Sequence, residues 1–449
     1  MINKVLIANR GEIAIRIIRA CKELGILTVA VYSTVDKESF HVMLADESVC
    51  IGGADSRDSY LNIPNILNAA ANTGADAIHP GFGFLAENAS FAQMCKDCQI
   101  KWIGPTPEAI ALLGDKAQAK QTMINAGVPV IPGSVGVIHS LEEAKQIAEQ
   151  TGFPLLIKAA AGGGGRGIRR VDKPSELQPA FEQAKLEAKM FFGNDGVYIE
   201  KFLTETYHIE YQILADEHGN VIHLGERDCS MQRRNQKVLE ECPSPKLNPQ
   251  LRKEMGEIAV KAAQASNYTN AGTVEFLLDK QGNYYFMEMN TRIQVEHPIT
   301  EEISGVDIVA QQIAIANGEK LPFTQEDVNL TGHAIECRIN SENPEKDFMP
   351  TGGQVEYLHV PNGFGVRFDS HMYQGYKLPM NYDSMIGKLI VWGETREIAA
   401  RKMRAALDEL VIAGVGNNID FQMSLVESDE FKEGMYDTGF LGKLLNKKE

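Results

Sequence analysis

Residues 287–298 read MEMNTRIQVEHP, which places Glu288, Asn290, Arg292, Gln294 and Glu296 at every second position. Alternation in an extended chain turns such residues to one face. A solvated strand face would carry Thr, Lys and Ser, whereas acids and amides are poor strand formers. The composition therefore points to chemistry. Upstream, AGTVEFLLDKQGNYYFMEMN reads as two strands around the turn D-K-Q-G-N. A turn centred on Gln281-Gly282 sets Glu275 directly opposite Glu288, where like charges repel. A divalent cation removes that penalty, and Asn290 adds an oxygen on the same face. Magnesium takes few protein oxygens and fills its shell with water and phosphates. Glu275, Glu288 and Asn290 are thus candidate metal ligands of a Mg-nucleotide site, against a solvated hairpin without an ion. Farther along, Arg292 offers a planar fork to a carboxylate-like anion. Gln294 adds a donor, and Glu296 is placed to remove a proton. The expectation is metal, anion clamp and base in order along one strand face.

Three other stretches carry chemistry. IKAAAGGGGRGIRRV has four consecutive glycines and Gly167, whose backbone N–H groups can crowd an anion. It is not a Walker loop, because Ile168 stands where lysine belongs and the lysine is upstream at Lys158. Strand, glycine loop and strand suggest a lid over phosphates rather than a surface linker. VYIEKFL flanks Glu200 and Lys201 with apolar residues, as suits a strand edge meeting a flat base. ERDCSMQRRNQKVLEE concentrates Arg233, Arg234 and Lys237. Such charge suits a phosphate or small anion, or a solvated cationic patch.

Elements must hold these residues in place. The 449 residues allow two to four domains, and 44% hydrophobic content is that of a globular protein. A net charge of −16 argues against a nucleic-acid surface. No apolar run approaches the roughly 18 residues of a membrane span, and charge interrupts MINKVLIANRGEIAIR too early for a signal peptide. Seven cysteines, an odd count, fit reduced thiols in the cytosol. Cys95 and Cys98 form a CxxC, but no second pair follows, so they read as ordinary helix cysteines. KVLIAN, EIAIRIIRACKELG and LTVAVYS form a βαβ unit. Its turn is N-R-G-E and not GxGxxG, which predicts a Rossmann-like scaffold without a dinucleotide. HPGFGF lies at a strand's carboxyl end, where open parallel sheets place ligands. The texture changes at Gly114-Asp115-Lys116. A helix follows (KAQAKQTMINAG), VPVIPGSVG reads as a linker, a compact block runs to about residue 203, and another runs to about 330. A β- and glycine-rich tail ends in the helix REIAARKMRAALDEL.

With these motifs in order, the chain resembles the biotin carboxylase family, the ATP-grasp subunit of bacterial acetyl-CoA carboxylase. IANRGEIAIRIIRACKELG, HPGFGFLAEN, GDK at Lys116, KAAAGGGGRG, ERDCSMQRR, EMNTRIQVEHP, ECRIN and YDSMIGKL carry the likeness from end to end. The resemblance implies an α/β fold in three parts. These are a Rossmann-like N-terminal domain (1–114), an ATP-grasp domain (115–331) with a mobile glycine-rich lid at about 131–203, and a mixed α+β C-terminal domain (332–449). It implies that ATP, bicarbonate and biotin give carboxybiotin, ADP and phosphate, through carboxyphosphate. By position, Lys116, Lys158, Gly164 and Gly165 hold ATP phosphates. Glu200, Lys201, Phe202 and Leu203 line the adenine, with His208 and Gln232 near the nucleotide. Glu275 and Glu288 bind Mg²⁺ or Mn²⁺. Lys237, Arg292, Gln294 and the backbone of Val295 clamp bicarbonate, Glu296 deprotonates it, and Arg338 faces the biotin ureido oxygen.

The chain departs from the family pattern in places. Asn235 stands where the family has histidine in RRHQK, so a nucleotide contact there is neutral. Phe82 and Ala86 replace hydroxyl-bearing residues in HPGYGFLSEN. Ala188-Lys189-Met190 lacks the first methionine of a biotin-attachment site, and no carboxyltransferase domain follows. The chain is therefore expected to act on biotin held by a separate biotin carboxyl carrier protein, with carboxyltransferase subunits, as a cytoplasmic homodimer with no nucleic-acid or membrane partner. The competing readings are an ATP-grasp ligase joining an acid to an amine, a nucleotide sensor without turnover, and a biotin carboxylase serving another acyl-CoA or pyruvate.

Overall fold

The computed structural model describes residues 1–159, 168–192 and 195–446. KVLI forms β1 (Lys4–Ile7), followed by α1 (Gly11–Glu23). Ile13, Ala14, Ile17, Ile18 and Cys21 recur at helical spacing and are all buried. With β2 (Leu27–Ser33), β3 (Glu47–Gly52), β4 (Ala77–His79) and β5 (Lys101–Trp102) the chain builds a sheet of order β3-β2-β1-β4-β5. Every pairing in it is parallel, the Rossmann-like arrangement expected from the βαβ pattern. The turn after β1 serves packing. Arg10 binds Asp36 at 2.6 Å and lies 4.4 Å over the Tyr382 ring, which fastens this end of the sheet to the C-terminal part of the chain.

After α2 (Lys116–Asn125) comes a small layer with its own core. β6 (Leu155–Ala159), β7 (Ile168–Val171) and β8 (Val197–Lys201) pair antiparallel in the order β7-β6-β8. Helices Leu141–Thr151 and Leu177–Phe192 contribute Ala144, Ala148, Leu177 and Phe181 to that core, against Leu155, Ile157, Val171 and Ile199. VPVIPGSVG is not the free linker expected from its Pro and Gly. The Phe286 N–H donates to Pro129 O at 2.7 Å, and the Ser134 N–H donates to Ile199 O at 2.8 Å. Proline fixes an extended backbone without preventing its neighbours from pairing.

The largest layer is an eight-stranded antiparallel sheet. It comprises β9 (Tyr207–Ala215), β10 (Val221–Arg233), β11 (Gln236–Cys242), β12 (Asn270–Leu278), β13 (Tyr284–Asn290), β14 (His333–Asn340), β15 (Val366–Ser370) and β16 (Met385–Gly393). Their spatial order is β13-β12-β9-β10-β11-β14-β16-β15. β11 pairs with β14, so the sheet runs unbroken past residues 331–332. Among the helices that flank it, α3 (His297–Ser304) packs on β14 and α4 (Arg396–Glu409) on β16.

The β12–β13 hairpin differs from its sequence reading in two ways. Its turn is centred on Gln281, with Leu278 opposite Tyr284 and Phe276 opposite Phe286. Asp279 sets this, its carboxylate accepting from the N–H groups of Gln281 and Asn283, while Gly282 adopts φ 86°. That count alone would put Glu275 opposite Met287. A bulge between Phe276 and Glu275 absorbs one residue and restores Glu275 opposite Glu288. The second difference is that β13 ends at Asn290, so Arg292, Gln294 and Glu296 do not continue a strand face. The Thr291 N–H turns aside to Glu87 Oε1 at 3.2 Å, and Pro298 in the first turn of α3 starts a helix whose N-cap is Glu296.

Candidate active site

The residues that leave the sheet at Asn290 curl back over it. Lys237 Nζ on β11 contacts Glu210 at 2.5 Å, Glu296 at 2.6 Å and Glu275 at 3.1 Å. Arg338 on β14 flanks Glu296 from the other side, donating to it at 2.8 Å and to Glu240 at 2.6 Å. Burial alone raises the Glu296 pKa, but Lys237, Arg338 and Arg227 outweigh it and hold the group well below the ordinary carboxylate value. Lys237 follows the opposite logic. Desolvation lowers it, yet Glu210, Glu275 and Glu296 keep it well above its usual value, so it stays an ammonium. Gln294 donates to Glu275 at 2.6 Å and accepts from Arg227 at 2.7 Å. Val295 presents its carbonyl to Lys388 at 2.7 Å. Arg292 donates to Glu87 at 3.0 Å and to Asn290 Oδ1 at 2.8 Å, so its fork stays beside the acidic hairpin.

Glu275 and Glu288 face each other across the hairpin, but their surroundings differ. Glu275 is 4% exposed, and Lys237, Asn290 and Gln294 all donate to its Oε1. Burial would raise it, but Lys237 and His208 hold it far below its ordinary value. Glu288 is exposed, and among the described residues no donor reaches its carboxylate. Partial desolvation and the Glu275 charge push its pKa up. A carboxylate left unpaired against a second one is a donor set that suits a divalent cation. Asn290 turns its NH₂ to Glu275 and its oxygen to Arg292. As arranged it orients those two groups rather than offering an oxygen between the acids. His208, Glu210 and Glu275 also bring ligand atoms within 4.8 Å of one another. The Lys237 ammonium already neutralises that cluster, so the Glu288 side fits a cation better.

The residues expected to hold nucleotide are spread over α2, the small layer and strands β9 and β10 of the large sheet. Lys158 on β6 pairs with Glu200 on β8 at 2.6 Å. Lys116 is exposed in the first turn of α2, close enough that its charge offsets the rise at Glu288. Gly164 and Gly165 lie outside the described residues. Lys201 donates to Phe153 O at 2.9 Å, Arg170 covers the Phe202 ring at 4.4 Å, and Leu203 is half-buried. His208 Nε2 lies 3.0 Å from Glu275, and its Nδ1 is 2.7 Å from Gln232. Asn235 forms the β10–β11 turn with Arg234, at φ 63° and 51°. A two-residue turn with both φ positive favours Asn, which gives Asn235 a conformational role. Arg233 and Arg234 are both captured by Asp347 at 2.7 Å. Of that cationic cluster, only Lys237 enters the site.

Sequence reasoning missed five residues that the fold brings in. Lys120 reaches Glu200 at 3.3 Å, and its signal was a second lysine one helical turn beyond Lys116. Glu210 shares a strand face with His208. Arg227, fully buried, binds Glu210 at 2.6 Å, Gln212 at 2.8 Å, Thr300 at 2.9 Å and Thr273 at 3.1 Å, besides Gln294. Its signal was the run Glu226-Arg227-Asp228, three adjacent charges in the middle of a strand. Glu240 anchors Arg338. Glu87 follows the HPGFGF turn and crosses from the parallel sheet to Arg292.

Comparison with known proteins identifies the family. The family "Biotin carboxylase, N-terminal domain" matches residues 1–110. "Carbamoyl-phosphate synthase L chain, ATP binding domain" matches residues 115–324, and "Biotin carboxylase C-terminal domain" matches residues 336–443. The chain is 58% identical to the biotin carboxylase of Nostoc sp. over 442 residues, 98% of this chain and 99% of that one. The biotin carboxylase of Campylobacter jejuni, solved as a β,γ-ATP complex, superposes with a TM-score of 0.95 at 50% identity, covering 99% of each chain. The biotin carboxylase domain dimer of Hydrogenobacter thermophilus 2-oxoglutarate carboxylase, solved with MgADP, ADP and bicarbonate, superposes with a TM-score of 0.93 at 50% identity, over 99% of this chain and 98% of that one. This chain belongs to the biotin carboxylase family, ATP-dependent ligases with an ATP-grasp fold.

Proposed function

We propose that the chain carboxylates biotin held on a separate carrier protein, consuming ATP and bicarbonate by way of carboxyphosphate. The observation that carries this reading is Glu296 clasped between Lys237 and Arg338, with Arg292 and Gln294 alongside. In that state Glu296 is a weak base, since both cations stabilise its charge. An anion seated against Lys237 and Arg292 competes with Glu296 for Lys237, so bicarbonate binding itself raises the basicity of Glu296. Glu296 then takes the bicarbonate proton and an oxygen of the resulting dianion attacks the γ-phosphorus, releasing ADP. Carboxyphosphate breaks to CO₂ and phosphate, the phosphate takes the biotin N1 proton, and N1 bonds to CO₂. Arg338 stabilises negative charge on the ureido oxygen. Mg²⁺ or Mn²⁺ at Glu275 and Glu288 supplies charge neutralisation to the phosphates. Lys116, Lys158 and Lys120 add fixed positive charge, and His208 and Gln232 hold Glu275 in place.

The same reading takes residues 1–114, 115–331 and 332–449 as its three domains and a homodimer as its assembly. It places the enzyme in the cytoplasm, working with a biotin carboxyl carrier protein and carboxyltransferase subunits, as the first half-reaction of acetyl-CoA carboxylase. The likeness to a 2-oxoglutarate carboxylase domain supports a second acceptor class, a 2-oxo acid. ADP release with and without bicarbonate and free biotin tests the reaction: dependence on both is expected. Turnover indifferent to bicarbonate would instead select an acid–amine ligase, and ATP binding without turnover would select a sensor.

A further inference from the structure

Behind Arg338 lies a group of buried charges that the proposed reaction does not use. Glu240 on β11 stands directly opposite Glu336 on β14, so both side chains share one sheet face within contact range. Both are 0% exposed. Two cations lie on this face, and each is already engaged by another acid. Arg338 binds Glu296 as well as Glu240. Lys388 donates to Val295 O and sits 3.2 Å from Glu12 on α1. Among the described residues, neither oxygen of Glu336 has a hydrogen-bond partner, nor does Glu240 Oε2. The other charged neighbours add no free cation. Asp369 on β15 is paired in register with Lys388 and bound by Arg367. His297 on α3 is kept neutral by burial and by the Lys388 charge. Two ionised carboxylates buried face to face with no uncommitted cation are unfavourable.

We propose that Glu336 is a neutral carboxylic acid in the working enzyme and acts as a positioning residue through Glu240. Holding a proton, it leaves Glu240 as the one ionised acid behind Arg338, and a single anion there balances the pull of Glu296 on the guanidinium. Ionisation of Glu336 places a second negative charge behind Arg338 and draws it back from the ureido position. Glu336 is the better proton carrier because Glu240 accepts a hydrogen bond from Arg338 and Glu336 accepts none. The titration has the same order. Burial drives Glu240 up to about 7, opposed by Arg338, and drives Glu336 well above the ordinary carboxylate range.

The positioning role rests on the biotin carboxylation reading; the protonation of Glu336 does not. The test uses the full chain and Glu336→Gln, an amide with the shape of the neutral acid. Near neutral pH, E336Q keeps biotin-dependent turnover within about threefold of wild type. At alkaline pH wild-type kcat/KM for biotin falls about tenfold per pH unit beyond the Glu336 ionisation, while the fall in E336Q begins at least about one unit higher. Bicarbonate-dependent ATP cleavage without biotin keeps the same pH profile in both. Superimposable alkaline limbs overturn the positioning role. Infrared difference spectra give a readout independent of activity: the carbonyl stretch of a protonated carboxyl, present in wild type near neutrality, is lost in E336Q. Its absence from wild type overturns the protonation. Glu336→Met, neutral and of similar volume, repeats the test if the amide is poorly tolerated. Failure of both neutral replacements to fold also overturns the proposal, because it shows that the position requires a negative charge.

Discussion

Glu296 and Arg338 touch each other yet have separable duties. Glu296→Ala is expected to lower bicarbonate-dependent ADP release at least about 100-fold, the scale of a lost general base. ATP affinity, measured by direct titration, stays within about twofold, since no nucleotide-holding lysine pairs with Glu296. Wild-type-like turnover in this variant would remove Glu296 as the base. Arg338→Ala should abolish carboxybiotin formation and spare ATP cleavage measured without biotin. An equal loss of both activities would show that Arg338 acts at the phosphoryl step instead. Residue type and spacing singled out Glu296 in the sequence, and the family resemblance supplied Arg338. Their shared hydrogen bond was not legible there, because Glu296 and Arg338 are 42 positions apart.

At the scale of elements, the acidic hairpin depends on a bulge. The turn at Asp279–Asn283 alone sets a register in which Glu275 faces Met287, and the extra residue moves Glu288 into place. Inserting one alanine between Met287 and Glu288 should therefore take Glu288 out of that pairing and turn the side chains beyond it to the opposite face. The Mg²⁺ concentration needed for half-maximal ATP turnover is expected to rise at least about tenfold, one carboxylate ligand being lost. An unchanged magnesium requirement would mean that Glu275 and Glu288 do not act together. The pairing of these acids could be read from the sequence, but its cause could not. A hairpin turn is local chemistry, whereas a bulge is settled by the neighbouring strand. The strand end at Asn290 has the same character, since the Thr291 N–H bonds to Glu87, a residue 204 positions away.

At the scale of the whole molecule, Glu241 ties the large sheet to the C-terminal helices. It is fully buried and binds His333 at 2.6 Å and Arg396 at 2.7 and 2.9 Å, with Tyr436 as a further donor. Burial works against its charge, but His333 and Arg396 bring its pKa down to about 2. A depressed carboxylate stabilises the fold above its unfolded pKa of about 4.3, and that contribution disappears as pH falls from there toward the folded value. Arg396→Ala should cost about 3 kcal/mol at neutral pH in urea unfolding, as for a broken buried pair. The difference from wild type should shrink as the pH falls toward 3. A constant difference across that range would assign the loss to packing against Phe431 rather than to charge.

The sequence alone determined the Rossmann-like start, the acidic hairpin and the residue types that follow it, because those rest on period, turn residues and side-chain type. Tertiary structure alone decided which charges meet. It sent Arg233 and Arg234 to Asp347, drew Glu87 and Arg227 into the site, and set Glu336 against Glu240. Electrostatic partnership depends on distance through space and on burial. Neither quantity is written in the spacing of residues along a chain.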